Sequence, residues 1–322
     1  MNYKSILITG GAGFIGSHVY DYFNSIYPEA KITILDKMTY AANKKNIPEN
    51  FINKNHFFKQ ADINDFETCM SLTKDLDLVL HLAAESHVGN SFSDSLIFTR
   101  SNTLGTHTLL EACKRNKVKR IIHVSTDEVY GENIHSKFYE SDALNPTNPY
   151  SATKAGAEMI AQAYFRSFKL PINIVRANNI YGIRQYPEKI IPKFIFRALD
   201  GLPLEIQGNG KNQRHYLSAL DFAVALKTIL DNFTPGNIFN IASDLELTNL
   251  EVANNINSLI RPNDIKDNIN FIEDRPFNDS RYAVNDNLLR NLGWMPQENL
   301  ISDLPKIIEW YKTNKNWFEK QI

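Results

Sequence analysis

The sequence predicts an α/β protein: a doubly wound parallel sheet followed by a smaller C-terminal α/β domain. Three observations carry this prediction. Short β-branched runs alternate with helix-patterned stretches up to about residue 176, as in a parallel sheet covered on both faces. A glycine cluster, Gly10-Gly11-Ala12-Gly13-Phe14-Ile15-Gly16, opens directly from the first run. An acid, Asp36, closes the second run 20 residues past Gly16.

The elements follow in order. Ile6-Leu7-Ile8-Thr9 reads as a short, fully buried strand, and the glycine turn leads to a helix over 17–26. Lys31 to Leu35 form the second strand, ending at Asp36, and Phe57-Phe58-Lys59-Gln60 the third, ending at Asp62. The fourth, Leu76 to Leu82, runs into Ala83-Ala84-Glu85-Ser86-His87. A helix is expected over 96–115, then the strand Ile121-Ile122-His123-Val124, which ends in Ser125-Thr126-Asp127-Glu128. A helix over 150–168 and the strand Ile172 to Arg176 complete the alternating part. Right-handed crossovers place the C-terminal ends of these strands, with their loops, along one edge.

Beyond residue 177 proline and glycine become frequent, as at Pro187, Pro192, Gly201, Pro203, Gly208 and Gly210. The chain is expected to return to the sheet near Gly236 to Ile241. The division is therefore 1–176 plus about 215–245 for the sheet domain, and about 177–214 plus 246–322 for a second, ligand-facing domain. The tail from Leu304 to Trp317 has helical apolar spacing through Ile307, Ile308, Trp310 and Tyr311, which suits packing.

Composition narrows the class. The chain of 322 residues is 43% apolar and 22% charged, enough for a sizeable core. A formal net charge of −1 gives no global basic field for nucleic acid or an anionic membrane. Cys69 and Cys113 form neither a disulfide framework nor a metal-binding Cys pattern, and are expected as buried thiols in a reducing compartment. The start, Met1-Asn2-Tyr3-Lys4-Ser5, lacks a signal-peptide layout, and no apolar run reaches the ~18 residues of a membrane span. A soluble cytoplasmic protein with no metal is the expectation.

Gly10, Gly13 and Gly16 stand at G-x-x-G-x-x-G spacing between a strand and a helix. Glycines there permit a tight turn and close backbone approach to a pyrophosphate at the helix N-terminus. With Asp36 placed to accept from the adenosine ribose hydroxyls, this is a Rossmann-type dinucleotide site. The Asp would repel a 2′-phosphate, so NAD is favoured over NADP.

Asp127 and Glu128 are adjacent acids just after an apolar strand, costly to desolvate and mutually repulsive. Such a pair is tolerated where it faces solvent or a substrate. Tyr150 and Lys154 are four apart and share one helix face. An ammonium near a phenol, with a cationic nicotinamide, favours the phenolate, which can take a proton from a sugar hydroxyl. Tyr-x-x-x-Lys alone is common on helix surfaces; its place after the dinucleotide loop and the Ser-Thr strand end makes it specific.

Together these features resemble the extended short-chain dehydrogenase/reductase superfamily and, within it, the nucleotide-sugar 4,6-dehydratases of the dTDP-glucose type. The resemblance covers nearly the whole chain. It rests on Gly10–Ser17, Leu82–Val88, Ser125–Gly131, Tyr150–Lys154, Tyr186–Pro192 and Asp274-Arg275-Pro276. It implies that Tyr150, with Lys154, deprotonates the glucose 4-hydroxyl while Thr126 bonds the same oxygen. It further implies that Glu128 removes the C5 proton and that protonated Asp127 donates to the departing 6-hydroxyl. The assignment of base and acid within the pair comes from the resemblance alone.

The same resemblance implies cofactor contacts at Gly10, Gly13, Phe14, Ile15, Gly16, Asp36, Lys37, Asp62, Ile63, Leu82, Ala83, Ala84, Ser101, Ser125, Tyr150, Lys154 and Ile180. For the nucleotide sugar it implies Ser86, Thr126, Asn179, Lys189, Ile190, Glu205, Gln207, Arg214, Asn249, Arg275 and Asn278. Arg214 and Arg275 suit a diphosphate, because guanidinium binds phosphate oxygens bidentately. Departures from the family pattern lie at His87-Val88-Gly89-Asn90-Ser91, Arg214-His215-Tyr216, Asn179 to Ile183 and Glu205-Ile206-Gln207. The last falls where base contacts are expected, leaving thymine and uracil both open. The expected function is NAD-dependent dehydration of dTDP-glucose, or of UDP-glucose, to a 4-keto-6-deoxy sugar, as in rhamnose-type deoxysugar biosynthesis. The alternatives are a nucleotide-sugar 4-epimerase and a non-catalytic NAD-binding protein; the acid pair argues against the first and the intact Tyr150, Lys154, Asp127 and Glu128 against the second. The resemblance also implies a homodimer through helices near 102–116 and 150–168.

Overall fold

The computed structural model describes residues 3–48, 51, 56–262 and 268–318. The first half alternates β1 (Ser5–Thr9), α1 (Phe14–Ile26), β2 (Lys31–Asp36), β3 (Phe57–Gln60), α2 (Phe66–Leu72) and β4 (Leu78–His81). Then come α3 (Val88–Ser93), α4 (Ser95–Phe98), a π-helical turn (Thr99–Leu104) and α5 (Gly105–Arg115). β5 (Arg120–Thr126), a 3₁₀ turn (Asp127–Tyr130), α6 (Pro149–Phe168) and β6 (Ile172–Ala177) follow. The second half holds β7 (Asn179–Tyr181), α7 (Ile190–Leu199), β8 (Leu204–Gln207), β9 (Gln213–Ser218), α8 (Ala219–Asp231) and β10 (Ile238–Ile241). It closes with β11 (Glu246–Thr248), α9 (Asn249–Ile260), β12 (Ile269–Ile272), α10 (Asn287–Arg290) and α11 (Leu300–Thr313).

Seven strands form one sheet in the order β10-β6-β5-β4-β1-β2-β3, and every pairing in it is parallel. Both faces are covered because the strands are apolar at consecutive positions. Ile6 and Ile8 enter one core with Val19, Phe23 and Leu226, whereas Leu7 enters the other with Leu109, Leu110 and Ala161. Neighbouring side chains of a strand point to opposite faces, so only an uninterrupted apolar run can fill both. The order reverses around β1, where β2 lies on one side and β4 on the other, and a crevice opens at such a switch point.

The sheet expectations agree with the fold, with two differences. The first helix begins at Phe14, not residue 17, because backbone geometry at Gly13 and not a side-chain cap starts it. The helix expected over 96–115 is interrupted by the π-helical turn. Inside that turn Asn102, 1% exposed, donates to the carbonyl of Glu85 at 3.0 Å and accepts from its N–H at 2.8 Å. The wider turn lets Asn102 reach the β4 loop, as π-insertions often do near functional sites. Beyond the main sheet lies a second core around Tyr181, Ile195, Leu204, Val252, Leu304 and Tyr311, served by a three-stranded sheet β11-β9-β7 and a two-stranded sheet β12-β8. These strands are only three to six residues long, too short for a periodicity signal. Leu289 and Trp294 return to the first core. Cys69 and Cys113 are free and buried. Among the described residues no helix is long and apolar enough to cross a membrane.

Candidate active site

The glycine turn is shaped by its neighbours. Gly10 has φ +70, a conformation rare for residues with a side chain, and an added Cβ would sit 2.8 Å from Cα of Ala83. A Cβ on Gly16 would meet the Gly10 carbonyl oxygen at 2.2 Å. The α1 N-terminus therefore lies flat against the β1 end, with no side-chain cap and no acid in its first turn. Its free N–H groups make an anion-binding end. Asp36 takes the Ala12 N–H at 3.0 Å and the Met38 N–H at 2.8 Å, tying the β2 end to the turn. Burial raises its pKa, against the pull of these backbone donors.

All the cofactor positions expected from the sequence line one cleft along the strand C-termini, and Thr126, Asp127, Glu128, Tyr150, Lys154, Ser86, Asn179 and Lys189 line the same cleft. Lys37 is ion-paired with Asp62 at 2.7 Å on its rim. The π-helical turn delivers Ser101 to the wall.

Helix α6 is started by a capping box: Asn148 accepts from the Ser151 N–H at 2.9 Å, Ser151 returns a bond to the Asn148 N–H, and Pro149 occupies the first turn. The cap fixes Tyr150 and Lys154 over the end of β5. Lys154 donates to the Val124 carbonyl at 2.6 Å, and burial lowers its pKa to about 8, opposed by the carboxylate of Glu158. Tyr150 is pushed far above the ordinary phenol range, first by burial and then by the charges of Glu128 and Asp127, with the Thr126 hydroxyl pulling the other way. The protein's own groups thus hold Tyr150 as a neutral phenol. A phenolate there needs a further positive charge in the cleft, because the Lys154 ammonium is turned to the strand.

The acid pair sits in a one-turn 3₁₀ helix started by the Thr126 hydroxyl, which accepts from the Glu128 N–H at 3.3 Å. Asp127 is 3% exposed; burial, then the neighbouring Glu128, raises its pKa to about 7, although Asn178 and Thr126 donate to it. Glu128 is also raised by burial, but the charges of Arg214, Arg275 and Lys189 pull it back. The charges of Arg214, Arg275 and Lys189 act on Glu128, and that of Arg214 also acts on Asp127. Burial thus raises both carboxyls, Asp127 to about 7, and the cations oppose it most at Glu128.

The substrate positions divide into two groups. Arg214 and Arg275 both donate to the Asn278 side chain, and Arg214 stacks 4.4 Å over the Tyr282 ring. Lys189 donates to the Ser86 carbonyl at 2.8 Å. Glu205 instead is ion-paired with Arg197 at 2.8 Å and Lys193 at 3.5 Å, and Gln207 is exposed beside it on β8. Asn249 begins α9, its N–H given to the Asn212 carbonyl at 3.1 Å, and Ile190 begins α7.

Four site residues escaped the sequence reading. Asn178 donates to Asp127 at 2.7 Å; Thr126 pairs with Ala177 in the parallel ladder, so the residues after each strand end are neighbours, a signal in the predicted strand order. Asn148 and Tyr282 both reach Glu128 at 3.4 Å. Glu188 accepts from Tyr40 at 3.0 Å across the cleft.

Residues 7–304 match the family model described as GDP-mannose 4,6 dehydratase. A trifunctional UDP-glucose 4,6-dehydratase/3,5-epimerase/reductase of Arabidopsis thaliana is 45% identical over 98% of this chain, which spans about half (48%) of the plant protein's length. The dTDP-D-glucose 4,6-dehydratase of Dictyostelium discoideum is 43% identical, with 98% of this chain and 83% of that protein covered. Among solved structures, the dTDP-glucose 4,6-dehydratase DesIV of Streptomyces venezuelae, with NAD and dTDP bound, superposes with a TM-score of 0.94 at 36% identity, covering 99% of this chain and 100% of that one. A UDP-glucose 4-epimerase of Thermotoga maritima gives 0.88 at 26% identity, covering 97% and 99%.

Proposed function

The chain belongs to the GDP-mannose 4,6 dehydratase family, and from that premise we propose that it is a hydro-lyase converting a nucleoside-diphosphate glucose, dTDP-glucose or UDP-glucose, to the 4-keto-6-deoxy sugar. The observation that carries the reading is the adjacent acid pair, Asp127 and Glu128, lining the same cleft as Tyr150.

The cleft fits NAD: the uncapped α1 N-terminus would take a pyrophosphate, glycines leave the space a Cβ would fill, and Asp36, on the cleft wall, would accept from the adenosine ribose. NAD bound there supplies a hydride acceptor at C4 and a hydride donor at C6, and its positive ring supplies the charge that Tyr150 lacks. Tyr150 accepts the 4-hydroxyl proton, and Thr126 orients the same oxygen. The resulting ketone acidifies the C5 proton, which Glu128 removes. Asp127, protonated, gives its proton to the departing 6-hydroxyl, so water leaves with no net redox change. Lys189, Arg214 and Arg275 offset the substrate diphosphate. The second core, with α7, α9 and β8, forms the nucleotide-sugar part of the molecule, and the seven-stranded sheet the NAD part.

Separate incubation of the purified protein with dTDP-glucose and UDP-glucose, followed by mass spectrometry, tests this reading. Loss of one water from at least one sugar is expected; an unchanged mass with both would overturn it.

A homodimer through α5 and α6 is part of the same proposal. Leu104, just before α5, and Met159 and Phe168 on α6 are exposed apolar side chains that a partner could cover. A light-scattering mass of twice the chain is expected at micromolar concentration, and a monomer would refute it. A cytoplasmic setting accords with the two unpaired buried thiols.

A further inference from the structure

A buried ionic cluster lies behind the catalytic groups and touches neither cleft nor solvent. Arg176 on β6 is 2% exposed and Glu158 on α6 is 0% exposed. The guanidinium donates to both carboxylate oxygens, from Nε at 3.2 and 3.1 Å and from Nη2. Its Nη1 donates to the Tyr130 hydroxyl and, at 3.2 Å, to the Glu140 carbonyl. The guanidinium also lies 4.5 Å from the Tyr130 ring centre. Tyr130 stacks on Phe138 at 4.9 Å and gives its hydroxyl proton to Asn240 at 2.9 Å.

The placement of these residues is what matters. Glu158 is one helical turn beyond Lys154 on α6, and Tyr130 ends the 3₁₀ turn that begins with Asp127 and Glu128. One desolvated cation therefore bridges the helix that bears Tyr150 and Lys154 to the turn that bears the two acids. We propose that Arg176 is a positioning residue for the elimination step, bracing the acid-bearing turn against α6 through Tyr130 and Glu158. This rests on the dehydratase reading above.

The two half-reactions depend on the brace unequally. Tyr150 and Lys154 keep independent anchors in the Asn148 cap and the Val124 carbonyl, and Thr126 belongs to β5 itself. The acids sit on a turn of four residues. Besides the brace, its tethers are the bonds of Asp127 and Glu128 themselves, the Val129 carbonyl, which accepts from the Asn145 N–H at 3.0 Å, and the Val129 side chain, packed with Ala155, Ala242 and Val284. Loosening Tyr130 shifts Asp127 and Glu128 relative to a substrate held by the rest of the cleft. A displacement of about 1 Å is enough to slow a positioned step on the order of a hundredfold.

Removing Arg176 outright would strand a buried carboxylate and endanger folding. The tests are therefore Tyr130→Phe, which keeps the ring and deletes the hydroxyl, and Arg176→Lys, which keeps the charge and loses the planar fork. Each variant, with circular dichroism matching the wild type, is mixed with the nucleotide sugar that the wild type dehydrates. Reduced-nicotinamide absorbance reads C4 oxidation, and deuterium uptake from solvent at C5 reads proton removal. Oxidation is expected within a few-fold of wild type, with C5 exchange slowed about tenfold or more and reduced cofactor accumulating in the steady state. A purely structural pair would lower both steps by one common factor, and either that result or unchanged C5 exchange in Tyr130→Phe would overturn the proposal. Wild-type dehydration tests the underlying reading separately; its absence would remove both.

Discussion

At the scale of single residues, the proposed dehydration requires two neighbouring carboxyls in opposite states. Burial lifts Asp127 to about 7, while three cations restrain Glu128. The general acid must be protonated, so kcat/KM is expected to fall as pH rises through about 7, a limb belonging to the coupled pair. Asp127→Asn keeps the shape but holds no transferable proton. C4 oxidation should survive in it, and water loss should drop by roughly 10²–10⁴-fold. The same shift has a stability sign. A carboxyl raised in the folded state contributes stability below the unfolded value of about 4 and loses it as pH rises to about 7. The melting temperature of Asp127→Asn should therefore gain on wild type between those pH values and keep a constant lead above them; a lead that shrinks with rising pH would contradict the buried-acid assignment. The residues to which the proposal assigns the chemistry were legible because Thr126-Asp127-Glu128, Tyr150 and Lys154 are contiguous or helix-spaced. Asn148 and Tyr282 were not, since their contacts with Glu128 join segments 20 and 154 residues apart by sequence, and only the folded loops bring them there.

Among elements, the glycine turn and α1 are the most sharply constrained. An Ala at position 16 would place its Cβ against the Gly10 carbonyl, a backbone atom that cannot swing away. Gly16→Ala is expected to weaken NAD binding at least tenfold, about 1.4 kcal/mol or more, as read by calorimetric titration of the folded variant. Unchanged affinity would mean that the pyrophosphate does not rest on this turn. The start of α1 escaped the sequence reading because its N-cap is a glycine without a side-chain bond, so no Ser, Thr, Asp or Asn marks the boundary. The π-helical turn was hidden for another reason. Its apolar spacing is close to helical, and the extra width is imposed by the tertiary bonds of Asn102.

For the whole molecule, the parallel sheet was visible in the alternation of apolar runs and helical stretches, and its register carries the cleft. The second core was visible only as a change in composition, because its strands are brief and its members span Tyr181 to Phe318. A UDP-glucose 4-epimerase shares the fold at a TM-score of 0.88, so architecture alone does not separate dehydration from epimerisation, and the proposal rests that distinction on the Asp127–Glu128 turn. The most direct measurement uses a nucleotide glucose carrying deuterium at C4, with the product's label located by NMR. If Tyr150 serves oxidation at C4 while Asp127 and Glu128 expel water across C5 and C6, the deuterium appears at C6 of a 4-keto-6-deoxy product. Deuterium retained at C4 of a galactose-configured product would contradict the account.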